Sequence, residues 1–260
     1  MNAPDPVSGP QSHDAPDPGR RAEIAANLAT VRTRIAAACA SAGRSVDEVE
    51  LVAVSKFRPA EDVLHLLALG QRVFGENRDQ EAAAKAAWVA GAVADEPSET
   101  APEWHFIGQL QTNKAKSVVS YADVVESVDR LPLVDALARA AARAGRTLRV
   151  LVQVNLDPEA ERDGSGRGGA HPDELARIAD AVTESGPLSL AGLMAVAPLG
   201  APPEPAFERL AELAAQLRGA HPEAVSLSAG MSADLEAAIA AGATHVRIGS
   251  ALLGARPPLR

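Results

Sequence analysis

Apolar residues at Ile24, Leu28, Val31 and Ile35 recur at spacings of three and four. That period predicts an amphipathic helix from about Arg20, ahead of any strand. An alternation then begins. Short apolar, often β-branched runs stand at 51–55 (LVAVS), 72–75 (RVFG), 104–108 (WHFIG), 123–127 (DVVES), 148–156 (LRVLVQVNL), 188–196 (LSLAGLMAV), 224–228 (AVSLS) and 244–250 (THVRIGS). Helix-type segments separate them, at 60–69, 77–90, 111–119, 131–145, 172–185, 204–219 and 232–241. Pro59, Pro132 and Ser232 stand where helix starts are expected. Gly70, Gly145 and Gly242 stand where helices end in the left-handed region.

Eight strands alternating with helices predict a parallel α/β architecture. Several strands are apolar throughout, as parallel strands covered on both faces should be. A barrel and an open doubly wound sheet share this pattern. The count of eight and the length of 260 residues favour a single (β/α)8 barrel with an extra N-terminal helix. No G-x-G-x-x-G follows the first strand, which weakens the dinucleotide-binding alternative. The barrel is expected over 20–260. Residues 1–19, rich in Pro, Asp, Ser and Gly, are expected as a disordered tail. Loops are expected at 91–103 and 157–170. The second carries the glycine cluster 164–169, read as a mobile loop with ligand covering as its alternative role.

Composition narrows the function. Hydrophobic residues are 47% and aromatics only 3%, so the core must be largely aliphatic. The formal charge of −9 disfavours nucleic acid but leaves room for one local basic pocket. The single cysteine, Cys39, lies in an apolar helical run and reads as a buried small hydrophobe. It excludes an intrachain disulfide and a cysteine-based metal cluster. No run approaches 18 consecutive apolar residues, so no membrane span is expected. The N-terminus lacks the basic and apolar regions of a secretory signal, and a cytoplasmic location is the default expectation. Few apolar residues are spare for a large interface, which favours a monomer.

In a barrel, chemistry gathers at the C-terminal ends of the strands. Strand one ends in Ser55–Lys56. A lysine there is either an ordinary surface lysine or, held beside apolar walls, a nucleophilic amine. Strand two ends in Gly75–Glu76–Asn77–Arg78, and Gln109, Gln111, Asn113 and Lys114 follow strand three. His105, inside an apolar strand, reads as a satisfied core histidine before it reads as a base. After strand seven come Gly230–Met231–Ser232, and strand eight ends in Arg247–Ile248–Gly249–Ser250. Barrel phosphate sites are often built from these two loops, because small residues let backbone N–H groups approach an anion. Arg247, on the last strand, suits a ring nitrogen or an anion. Two such loops opposite a rim lysine point to a ligand with a phosphate and an aldehyde. Ordinary turns remain the bland alternative for each loop alone.

The residues LVAVSKFRP (51–59), FGENRDQEAAAK (74–85), WHFIGQLQTNKAK (104–116), SVDR (127–130), GLMAVAP (192–198) and LSAGMSADLEAAIAAGATHVRIGSALLGAR (227–256) resemble the pyridoxal phosphate homeostasis proteins. The match runs in order through most of 50–256. The resemblance implies a fold similar to the N-terminal barrel of alanine racemases. It implies pyridoxal 5′-phosphate (PLP) as cofactor, held as a Schiff base on Lys56. Asn77 is then expected near the cofactor, Arg247 at the pyridine nitrogen and Met231 beside the ring. Ser232, Gly249 and Ser250 are expected at the phosphate. Two departures bear on a lid: Arg167 stands nearest to the usual Lys or Ser of the loop after strand five, and the 91–103 insertion is long.

An arginine at the pyridine nitrogen leaves it unprotonated, which weakens the ring as an electron sink. Alanine racemases add a tyrosine from a second domain, which the sequence to Arg260 does not supply. Tyr121, the one tyrosine, precedes strand four, away from the expected rim. The resemblance therefore implies a PLP carrier without catalytic residues, delivering PLP to apo-enzymes. The alternative is a low-activity PLP-dependent amino-acid racemase with His105 or another rim residue as second base. A third reading, a barrel without cofactor, requires every rim match to be coincidental.

Overall fold

The computed structural model describes residues 18–97, 101–157 and 168–255. Within them eight parallel strands close into a barrel in chain order. They are β1 (Glu50–Val54), β2 (Val73–Glu76), β3 (Glu103–Phe106), β4 (Val124–Val128), β5 (Leu148–Gln153), β6 (Leu188–Met194), β7 (Ser226–Ser228) and β8 (His245–Ile248). The last strand closes on the first, with Leu51 beside Val246 and Val52 beside Arg247. The expected barrel is therefore present, and the open sheet is excluded by β1–β8 pairing.

The helices are α1 (Pro18–Ser41), α2 (Ala60–Ala68), α3 (Asp79–Ala92), α4 (Ala115–Tyr121), α5 (Leu131–Ala144), α6 (Leu175–Glu184), α7 (Glu204–Ala220), α8 (Leu235–Ala240) and α9 (Ser250–Leu253). Helix α5 shows the sequence signals at work. Pro132 sits in its first turn, and Gly145 ends it at φ 62° with Leu133, Val134, Leu137 and Ala141 buried. Several boundaries differ from expectation. Tight 3₁₀ turns at Thr112–Lys114 and Pro172–Glu174 precede α4 and α6. The short α9 had no periodicity long enough to announce it. Ser232 does not cap α8, whose N-cap is Asp234. Its hydroxyl instead meets Ser250 and Ala251 at the start of α9.

Of the expected tail, residues 18 and 19 belong to α1. Residues 1–17 lie outside the described residues, as do 98–100 and 158–167 of the two expected loops.

The extra helix has a definite task. Ile24, Leu28, Val31 and Ile35 bury their side chains almost completely, as does Cys39. Each such burial contributes about 1.5–3 kcal/mol for a large aliphatic group. Polar groups of α1 then bond the backs of the last two loops. Arg34 Nη2 donates to the Ser232 carbonyl at 3.1 Å and its Nε to Glu236 at 2.9 Å. Asn27 donates to the Leu252 carbonyl and Arg20 to that of Leu253, both at 3.0 Å. The helix thus fixes the loops after β7 and β8 from outside.

Candidate functional site

At the C-terminal mouth of the barrel lies a cavity of about 400 Å³, lined by Val54, Lys56, Phe57, Arg58, Ile107, Met231, Ser232, Ala233, Arg247, Gly249, Ser250 and Gly254. That volume suits a small cofactor. Six of the seven expected site residues, Lys56, Met231, Ser232, Arg247, Gly249 and Ser250, line it together. They are not disposed as the sequence suggested. Because β8 closes on β1, Lys56 and Gly249–Ser250 leave neighbouring strand ends rather than opposite ones. Asn77 is outside this lining. It follows β2, and its backbone is pressed so closely on Gly108 that a Cβ there would collide with the Asn77 carbonyl. Its Oδ1 is buried without a hydrogen-bond partner.

The segment that carries Lys56 is unusual. Phe57 has a φ of 61°, the one described non-glycine residue in the left-handed region. That conformation costs about 1–3 kcal/mol and persists only where surrounding contacts fix it. Arg58 N–H donates to the Ser55 carbonyl at 3.1 Å. Phe57 N–H donates to Glu81 Oε1 at 2.5 Å, and the Arg78 guanidinium lies 4.7 Å from the Phe57 ring centre.

Beyond the ends of β7 and β8, Ser232 joins the two final connections. Ser250 Oγ approaches Ser232 Oγ at 3.3 Å, and Ala251 N–H reaches the same oxygen at 3.4 Å. Both contacts are long for hydrogen bonds. Two hydroxyls and a backbone donor therefore converge on one point beside the cavity, with only loose bonds among themselves. Gly230, at φ 89°, lets this chain turn tightly over α8, where a Cβ would come within 2.7 Å of the Ala238 Cβ.

The floor is a chain of buried polar groups that the strand patterns did not reveal. Arg247 is 5% exposed. It donates from Nη1 to Ser228 Oγ at 2.6 Å and from Nη2 to the Ala195 carbonyl at 2.8 Å. Ser228 Oγ donates to Glu126 Oε2 at 2.6 Å, and Glu126 Oε1 meets His105 Nδ1 at 2.6 Å. His105 Nε2 meets Glu103 Oε1 at 2.7 Å. Burial alone would push His105 down, but its bonds to Glu103 and Glu126 raise it to about 9. Burial would push Glu126 up, yet the His105 bond, with His105 and Arg247 charge, holds it down to about 2. His105 is thus a doubly paired core cation. It does not line the cavity, so the second base required by the racemase alternative is not supplied by this residue.

Tyr121 keeps away from the mouth, as expected. It lines a separate cleft with Trp104 and Asp123, and burial raises its hydroxyl above the usual phenol range. Among the described residues, no group of three or more His, Cys, Asp or Glu side chains could hold a metal ion. Among them, too, no helix is long and apolar enough to cross a membrane.

The cavity passes the test of fit for PLP on three counts. Its volume is right, an amine stands at the end of β1, and a loosely bonded donor cluster stands beyond the ends of β7 and β8. Comparison with known proteins gives the same direction. The family model for the alanine racemase N-terminal domain matches residues 21–257. A pyridoxal phosphate homeostasis protein from Mycobacterium leprae is 46% identical over 244 residues, covering 90% of this chain and 93% of that protein. PipY of Synechococcus elongatus, solved with PLP bound, is 34% identical with a TM-score of 0.72, covering 89% of this chain and all of that one. An alanine racemase from Corynebacterium glutamicum, at 18% identity and a TM-score of 0.62, covers 92% of this chain and 63% of its own, and shares the fold.

Proposed function

Because the chain belongs to the pyridoxal phosphate homeostasis protein family, we propose that it binds PLP in the cavity at the barrel mouth, through Lys56, and serves intracellular PLP homeostasis. The observation that carries this reading is the convergence of Lys56, the Ser232–Ser250 cluster and Arg247 on one cavity of suitable size. PLP, when bound, supplies an aldehyde that condenses with a primary amine and a phosphate that carries negative charge.

This chain's residues divide the remaining work. Lys56 supplies the amine. Ser232 and Ser250 supply hydroxyl donors for the phosphate, with Gly249 keeping the backbone accessible. Arg247, held by Ser228 and Ala195, presents a fixed guanidinium to the ring nitrogen. Met231, 36% exposed, covers the ring. Asn77, with its unpartnered Oδ1, completes the surroundings from β2.

We take the protein to be a carrier rather than a catalyst. Among the described residues lining the cavity, the polar side chains besides Lys56 are arginines and serines, which do not exchange protons readily at neutral pH. It works in the cytoplasm as a monomer and delivers PLP to apo-enzymes, with no part for nucleic acid or membrane. Proton exchange at the α-carbon of alanine in deuterated water tests this. No exchange above that of free PLP is expected; Lys56-dependent exchange at an enzymatic rate would contradict the carrier reading.

The phosphate wall is tested separately. Replacing Ser232 and Ser250 together with alanine should weaken PLP binding about tenfold, the equivalent of ~1.4 kcal/mol. Titration followed by visible absorption reads this directly. Unchanged affinity would place the phosphate elsewhere.

A further inference from the structure

A second lysine, Lys85 on α3, lies behind the Lys56 turn, and its side chain is only 4% exposed. Its Nζ donates to the Ser55 carbonyl at 2.7 Å, to Glu76 Oε1 at 2.5 Å and to Glu81 Oε1 at 3.1 Å. Each partner holds the backbone around Lys56 in a different way. Ser55 Oγ donates to the same Glu76 oxygen at 2.8 Å, so residue 55 is gripped at both its carbonyl and its hydroxyl. Glu81 Oε1 accepts the Phe57 N–H, so residue 57 is gripped at its amide. The residue between the two grips is Lys56.

Charge explains why this arrangement is tight. A buried ammonium needs its three donors satisfied and its charge opposed. Here all three protons of Lys85 have acceptors, two of them carboxylate oxygens. Burial pushes the Glu76 carboxyl up and the Lys85 charge opposes that shift. Such a network is costly to bury and is a poor way to gain stability. It is a good way to fix a geometry. The geometry it fixes is the left-handed conformation of Phe57, which a β-turn of ordinary residues would not hold unaided.

We propose that Lys85, acting through Glu76 and Glu81, is a positioning residue: it clamps the Ser55–Phe57 turn and so presents Lys56 to the cavity. The inference rests on the reading of Lys56 as the PLP-bearing residue. It assigns to the α3 charges a part in cofactor capture that their place on a helix does not suggest.

Glu81 gives the cleanest test. It is a quarter exposed, and its loss leaves Lys85 still paired with Glu76. Wild type, Lys56→Ala, Glu81→Ala, Glu81→Gln and Lys85→Arg are mixed with PLP, and the growth of the visible band is timed across pH. Amide hydrogen exchange at Phe57 is measured on the same proteins without PLP. Wild type should develop the band and Lys56→Ala should not. Glu81→Ala should develop it at least tenfold more slowly, with faster exchange at Phe57, while Glu81→Gln, which keeps an acceptor oxygen, recovers much of the rate. Lys85→Arg should fall between them. A merely structural role would lower the melting temperature but leave the rate and its pH midpoint unchanged in the folded protein. Wild-type kinetics in Glu81→Ala would overturn the positioning role. A wild type without any band would overturn the reading of Lys56 itself, and the two failures are thereby distinct.

Discussion

Lys56→Ala is expected to leave a folded protein that stays colourless with PLP and binds it at least tenfold more weakly, a loss of ~1.4 kcal/mol or more. The side chain is half-buried at the cavity wall. Removing it deletes the proposed covalent hold and leaves the Ser232–Ser250 cluster and Arg247 in place. Residual affinity should therefore come from the phosphate and be competed by inorganic phosphate. Visible titration with equilibrium dialysis separates the two contributions. A coloured, borohydride-fixable Lys56→Ala would show that another amine takes the aldehyde.

The second large effect is expected below the cavity. Glu126→Ala removes the carboxylate that joins His105, Ser228 and Arg247. Two buried cations then lose their shared counter-charge. Breaking a buried pair in this way costs about 3–5 kcal/mol, which for a chain of this size lowers the melting temperature by roughly 10 °C. It should also loosen Arg247, so that PLP binding weakens even where the protein stays folded. The same cluster sets a pH dependence. His105 titrates near 9 when folded, above its ordinary 6.5, so its contribution is full below about 6.5 and is lost as pH rises through 9. Glu126 and Glu103 are held down to about 2, so their contribution is full above about 4.5 and is lost as pH falls towards 2. Thermal melts across pH should show this cluster's support greatest between those limits, with His105→Gln flattening the alkaline side. An unchanged alkaline limb would remove the charged histidine from the account.

How far the sequence reaches depends on what kind of contact is asked for. Strands such as LVAVS were legible because parallel strands covered on both faces need short, continuous apolar runs between turn signals. That Lys56, Ser232, Gly249 and Ser250 line one cavity was legible because a barrel gathers its strand exits at one mouth, while Met231 came from the family resemblance. The interior polar chain was not. Glu126 stands in DVVES as a lone carboxylate. Its partners come from β3, β7 and β8, which no local period brings together. Lys85 was hidden for the same reason, since a lysine among alanines on a helix reads as a solvated one until Ser55 and Glu76 are seen beneath it. Ser232 shows the opposite error: it reads as a helix start, but Asp234 is the N-cap of α8 and the Ser232 hydroxyl meets Ser250 and Ala251 instead. Helix α1 was expected, while its bonds to the Ser232, Leu252 and Leu253 carbonyls depend on tertiary contacts across the barrel.

The most direct test of the central claim is to load the wild-type protein with PLP, reduce it with borohydride, digest it and locate the modified peptide by mass spectrometry. One pyridoxyl group per chain is expected, on Lys56 within the segment 51–59. A modification on Lys85, Lys114 or Lys116 instead, or none at all, would contradict it.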